Sequence, residues 1–244
     1  MSKIGLSISM HNEIRETLRA IKSFQKFHPE SEIRIWGNEP EDLKTVGQYL
    51  DLPTKISPQY VNKLMGVLHS PGNNDGEKGA EILREFLYCA LEVYNGMKCE
   101  YVVYLHPDHL VVGQFSDKLL KNDLEIHKVN RYTRSQQLAW LSVTGKPLTL
   151  RSYGLAGYFR RESLISALEF LLDDDKVKLD ELLGLDINFI FEDLIIPCAF
   201  DYLGYSVVDQ NLTTEIRRRK RVRNYIVKPI LIHQMTKISN DPYL

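Results

Sequence analysis

YVVYLHPDHLVV, residues 101–112, is an apolar run broken once by His106, Pro107, Asp108 and His109. A strand that buries Val102, Val103 and Leu105 and then presents polar, metal-capable side chains delivers them to the C-terminal edge of a sheet. Open α/β folds keep their ligand sites at that edge.

Working outward, short apolar runs alternate with helical patterns. Ile4 to Met10 predicts a first strand, followed by a helix with Leu18, Ile21 and Phe24 on one stripe that ends near His28 and Pro29. Ile33 to Trp36 predicts a second strand closed by Gly37 and Asn38, Glu41 to Leu50 a short helix, and Lys55 to Ser57 a brief strand. Ser70 to Gly76 (SPGNNDG) has loop composition. From Glu77 to Tyr94, Ala80, Leu83, Leu87 and Leu91 recur at helical spacing, and this helix feeds the strand at Tyr101. The alternation predicts an α/β, Rossmann-like domain with a central, mostly parallel sheet flanked by helices. The second half is less regular. Helices are expected over Ser163–Leu172 and Asp193–Leu203, the latter containing Pro197 and stopped by Gly204, and a strand over Tyr205–Val208.

With 244 residues, 43% hydrophobic and 26% charged, the chain is long enough for one large core or two small ones, and one α/β domain is the simplest reading. A formal net charge of −1 gives no global pull toward nucleic acid or anionic membranes. Cys89, Cys99 and Cys198 are an odd number without CxxC spacing, which fits reduced thiols in a cytoplasmic protein. The opening MSKIGLSISMHNE is too briefly apolar to predict a signal peptide, and no run of about 18 apolar residues predicts a membrane span.

Four constellations carry chemistry. His106, Asp108 and His109, joined much later by His233 in PILIHQM, offer a carboxylate and imidazoles, a donor set suited to Mn²⁺ where Mg²⁺ prefers oxygen alone. The same residues also suit a plain polar turn at a strand end. Glu192 and Asp193 sit at a helix start, where the macrodipole favours acids, and a carboxylate there also suits a general base if its surroundings raise its pKa. Asp173-Asp174-Asp175 follows a helix and reads as a solvated terminus. Arg217 to Arg223 (RRRKRVR) concentrates six basic residues in seven, which suits a diphosphate or a lipid headgroup; with Tyr225 the one aromatic nearby, nucleic acid ranks last.

In order, these blocks resemble a nucleotide-sugar-dependent glycosyltransferase of the GT-A fold, closest to the large inverting group called family 2. Ile8-Ser9-Met10-His11-Asn12-Glu13 stands where that family has Pro-x-Tyr-Asn-Glu, with Asn12 and Glu13 matching, His11 in place of the aromatic and Ser9 in place of the proline. Trp36-Gly37-Asn38-Glu39 falls at the end of the second strand, with Asn38 as an amide stand-in for the acid that holds the base. His106-Pro107-Asp108 occupies the place of the DxD motif, Gly154–Arg161 (GLAGYFRR) resembles the glycine-containing segment, and Leu183–Val208 follows the GG-F-D-E, E-D, G-Y-x-V pattern.

The resemblance implies a single domain, with residues 1–112 as the nucleotide-binding half and 113–244 as the acceptor and catalytic half. It implies transfer from a nucleoside-diphosphate sugar to a saccharide, lipid-linked or protein hydroxyl. Asp108 and His233 are the expected metal ligands, with His106 in place of the first aspartate. Asp193 is the expected base, with Glu192 behind it. Ser9, His11, Asn12, Asn38, Arg84, Gly157, Arg217 and Arg219 are the expected donor contacts, besides His106 and Asp108. Membrane contact is at most peripheral, through 217–223. Two rivals stand beside this reading. One is a nucleotide- or sugar-binding protein of the same fold without catalysis, and the other is a sugar nucleotidyltransferase. The second needs a Gly-rich phosphate loop, which SMHNEIRE does not supply.

Overall fold

The computed structural model describes residues 3–10, 13–57, 76–126, 132–149, 155–208, 212–215 and 231–233. In chain order these form β1 (Ile4–Met10), α1 (Ile14–Gln25), β2 (Glu32–Gly37), α2 (Pro40–Leu50), β3 (Thr54–Ile56), α3 (Gly76–Asn95), β4 (Tyr101–Leu105), β5 (Leu110–Val111), β6 (Leu124–Ile126) and α4 (Arg134–Thr144). There follow β7 (Leu155–Arg160), α5 (Arg161–Leu172), α6 (Leu179–Leu185), a 3₁₀ turn (Ile187–Ile190), α7 (Glu192–Leu203), β8 (Val207–Val208), β9 (Thr213–Glu215) and β10 (Leu231–His233).

Seven strands make one sheet in the order β3-β2-β1-β4-β7-β6-β8. β7 alone runs against the rest, pairing antiparallel with β4 and with β6. The expected central, mostly parallel sheet is therefore present, and it continues without a break from residues before 112 to residues after it. Alternation along the strands creates two cores. Ile4, Leu6, Ile8 and Met10 of β1 with Val103 and Leu105 of β4 pack under α1 and α2. Val102 and Tyr104 of β4 pack with Trp36 and Phe159 under α3, α5, α6 and α7. That second face also holds buried polar groups: Trp36 Nε1 donates to Ser7 Oγ at 3.0 Å, and Ser7 Oγ donates to the Tyr94 hydroxyl at 3.5 Å. A separate three-stranded sheet, β5-β10-β9, lies against α1, where Ser23 Oγ accepts the Val111 N–H at 2.9 Å.

The first-half elements lie close to where periodicity predicts them, with β2, α2 and β3 each beginning one residue earlier than expected and Gly76 opening α3 instead of closing the loop; in the second half α5 begins two residues early and α7 one. The strand expected over Tyr205–Val208 is confined to Val207–Val208. α4, α6, the 3₁₀ turn, β5, β6, β7 and β9 add to the expected list. The DDD segment follows the C-terminal end of α5, Asp173 being its cap, with Lys176 Nζ on Asp173 at 2.9 Å. Cys89, Cys99 and Cys198 are unbridged and buried; burial pushes the Cys89 and Cys99 thiols up to about 11. No described helix is long and apolar enough to cross a membrane.

β1 and β2 close most tightly at Gly37, where an added Cβ would lie 1.9 Å from the Met10 carbonyl oxygen. Neither atom belongs to a flexible side chain, so the strand ends themselves would have to part. Gly37→Ala should therefore lower stability by about 1–3 kcal/mol, read as a drop in urea midpoint without change of slope.

Candidate functional site

β4 is sealed on both faces, and the chain turns polar only where it leaves the sheet. His106-Pro107-Asp108-His109 is a tight turn closed from both sides. The His109 N–H donates to the His106 carbonyl at 3.0 Å, and the His106 N–H donates to His109 Nδ1 at 3.1 Å. Pro107 sits at the second turn position, where its fixed φ is already correct. The His109 ring is buried and stacks on His106 with centroids 5.6 Å apart. His109 is thus the residue that shapes the turn, and Asp108 is the half-buried carboxylate presented by it. Asp108 Oδ1 lies 3.5 Å from His109 Nδ1. That nitrogen also accepts the His106 N–H, so one imidazole atom serves both the turn and the neighbouring acid.

The second sheet carries the C-terminal residues to the same place. β10 pairs antiparallel with β5 through Leu231↔Val111 and Ile232↔Leu110, so the next residue, His233, continues toward the Asp108 turn. On its other side His233 is in register with Glu215, the last residue of β9. The side chain of His233 lies outside the described residues, as do His11, Asn12, Arg217, Arg219 and the whole basic run. Among the described residues, no three His, Cys, Asp or Glu side chains converge as a metal site.

α7 brings the acid pair. Phe191 precedes it in extended conformation, Glu192 and Asp193 fill its first turn, and Gly204 closes it with φ +79°. Pro197 lies within the helix and has no N–H to offer the Asp193 carbonyl four residues back. Asp193 is half-buried, and burial pushes its carboxyl above the ordinary range against the opposing pull of its own main-chain N–H. This is the environment that a base at a helix start requires. Both acids act electrostatically on Tyr104, a buried residue that sequence reading passes over as a strand residue. Burial foremost, and then the charge of Glu192, hold the Tyr104 phenol well above its usual range, while a hydrogen bond with Ser9 works the other way. The Tyr104 ring meets His106 edge-on at 5.1 Å. Ser9, Tyr104, His106 and the α7 acids are therefore neighbours, and His106 joins them to the Asp108 turn.

Other predicted residues lie as follows. Asn38 is buried just beyond β2. Arg84 on α3 donates from Nη2 to Asp174 Oδ1 at 2.6 Å, which ties it to the end of α5. Gly157 stands opposite Tyr104 on β7 with φ +145°, and a Cβ there would meet Glu125 Cγ at 2.7 Å, so internal packing by itself demands the glycine.

The sequence matches no family model and no curated protein. Among solved structures, the chain is similar to the galactosyltransferase LgtC in complex with donor and acceptor sugar analogs, at 13% identity and TM-score 0.43 over 94% of this chain and 86% of that one. It is similar to S. aureus TarS at 12% identity and TM-score 0.41, over 95% of this chain and 36% of that one. The bifunctional enzyme WbbM gives 11% identity and TM-score 0.42, over 95% and 45%. Likenesses this distant do not decide a function, which has to rest on the residues themselves.

The raised pKa of Asp193 has a thermodynamic consequence. A carboxyl that is harder to ionise when folded contributes stability that is fully present below its unfolded pKa of about 3.9 and is lost as pH rises through the folded value. At neutral pH the ionised group therefore costs stability. Asp193→Asn should raise the urea midpoint at pH 7, and the gap from wild type should narrow as pH falls toward 4.

Proposed function

We propose that this chain is a glycosyltransferase that moves a sugar from a nucleoside-diphosphate donor to a hydroxyl on a saccharide, lipid-linked or protein acceptor, with inversion. The observation that carries this reading is a half-buried Asp193 whose carboxyl is raised by burial, at a helix start whose charge acts on Tyr104, the strand residue that meets His106 of the Asp108 turn edge-on. Asp193 takes the proton of the acceptor hydroxyl as that oxygen bonds to the anomeric carbon. The bond from the same carbon to the donor phosphate oxygen breaks, and its electron pair leaves with the nucleoside diphosphate. One displacement on the face opposite the leaving group inverts the centre. Glu192, one residue earlier, is the reserve base.

Ser9 and Asn38 stand at the ends of β1 and β2, where a nucleotide would lie across the strand edge. Asn12, two residues beyond β1 in the sequence, is assigned to the donor with them. Arg217 and Arg219, following Glu215, are assigned to the diphosphate, where guanidinium groups bind phosphate oxygens in pairs. Asp108 and His233, with His106 adjacent, are assigned to a divalent metal. One carboxylate with imidazole fits Mn²⁺ better than Mg²⁺, and the β5–β10 pairing carries both backbones toward one end. Such an ion, when bound, neutralises charge developing on the departing diphosphate.

The test is release of nucleoside diphosphate from a panel of nucleotide sugars, with Mn²⁺ or Mg²⁺ supplied. Asp108→Ala and Asp193→Asn should each slow turnover by roughly 10²–10⁴-fold, and wild-type turnover should rise with pH as Asp193 ionises. Asp193→Asn should keep the donor-dependent rise in melting temperature. Full activity in Asp193→Asn removes the base assignment. Binding of nucleotide sugars without turnover of any would make the chain a binding protein instead.

A further inference from the structure

The α1 region holds the chain that leaves the Asp108 turn at two points. Ser23 Oγ accepts the Val111 N–H at 2.9 Å, and farther along His28 Nε2 accepts the Phe115 N–H at 3.1 Å. His28 is buried just past the end of α1, where its ring stacks on Phe24 at 4.9 Å and meets Phe115 at 5.9 Å. A nitrogen that accepts an N–H carries no proton, so this ring is neutral, with its proton on Nδ1. The two acceptors differ in kind, because a hydroxyl does not titrate near neutral pH and an imidazole does. Lys22, Lys26 and Glu30 on the His28 side, and Asp117 and Lys118 beyond Phe115, are all exposed, and Asp117 pairs with Lys3. Arg19 of α1 and His109 of the turn are buried. None of these groups is a cause of the His28 shift; burial alone holds the imidazole below the ordinary histidine value.

We propose that His28 is an acid-released latch: its neutral ring fastens Phe115 to α1, and its protonation frees the segment beyond Val111 while Ser23 keeps the strand end in place. A proton on Nε2 would set a donor against the Phe115 N–H, itself a donor, and would bury a charge between two phenyl rings. Either the ring or the Phe115 amide then has to leave. The sign follows from linkage. A histidine whose pKa is lowered on folding contributes stability that is complete above its unfolded value of about 6.5 and is lost as pH falls through the folded value. The latch is therefore closed at neutral pH and opens in mild acid. The fastened segment runs directly out of β5, the strand on which β10 is paired, so the latch braces the approach to the candidate site. Nothing in this depends on the chain being a transferase.

Amide hydrogen exchange of the full chain, followed by NMR at about pH 7.5 and about pH 5, on either side of the histidine range, tests the latch once each rate is divided by its intrinsic value. Protection of the Phe115 amide should fall roughly tenfold on acidification, the scale of one lost hydrogen bond, while Val111 keeps its protection. His28→Gln supplies an amide oxygen that accepts without titrating, so Phe115 should stay protected at both pH values. His28→Phe keeps a ring in the stack and removes the acceptor, so protection should be low at both. If either variant fails to fold, the wild-type ring decides. Its ¹H–¹⁵N correlations should show Nε2 unprotonated at the higher pH and a midpoint below the ordinary histidine value, with the Phe115 amide shift moving at that same midpoint. Phe115 protection that acid leaves unchanged, or that falls equally in His28→Gln, overturns the proposal. So does an equal loss at Val111, which would mean a general loosening of the fold, or a Phe115 amide that titrates apart from the His28 ring.

Discussion

The burial of β4 on both faces is the constraint from which the site follows. Its backbone polar groups are met by β1 on one side and β7 on the other, as a strand cut off from water requires. The chain cannot become polar until it passes Leu105, and there it must also reverse within four residues to begin β5. The paired bonds between His106 and His109 accomplish both. They satisfy three main-chain groups at a place where water access is poor, and they spend one imidazole on structure so that the neighbouring carboxylate can be presented outward.

This explains which parts were legible in the sequence. The first half is legible because each strand is a short apolar run and each helix a clean stripe, so local pattern and tertiary demand agree. β6 and β7 were passed over for the opposite reason: β6 is three residues long, and β7 contains a glycine whose presence depends on Glu125 across the sheet, a contact no local pattern encodes. α4 had a readable signal, since Thr133 and Gln136 form a reciprocal capping box and Gly145 ends the helix with φ +70°. At the site, Asp108, Glu192 and Asp193 were recognisable as acids at strand and helix ends. Tyr104 was not, because in a strand of Val, Tyr and Leu its polar end is invisible until β1 and α7 are folded against it. His109 reads as a ligand in sequence and acts as a turn clasp in the fold, and Arg84 belongs to an ion pair with the end of α5.

The electrostatics at α7 show two tendencies held against each other. A helix start favours an acid, and partial burial disfavours its charge. Asp193 lies where burial wins. A more exposed residue would be a weaker base, whereas one buried more deeply would stay protonated. Two buried tyrosines, Tyr104 and Tyr132, feel the charge of Asp193, so the core packing of the sheet's second face and the site's electrostatics are linked.

Pro197 gives this arrangement a mechanical property. By withholding an N–H from the carbonyl of Asp193, it removes one rung of the ladder between the first turn of α7 and the buried body that runs to Leu203. The turn bearing the acids is therefore held to the rest of the helix by one hydrogen bond fewer than an unbroken helix supplies, and the carbonyl of Asp193 is left open to another donor.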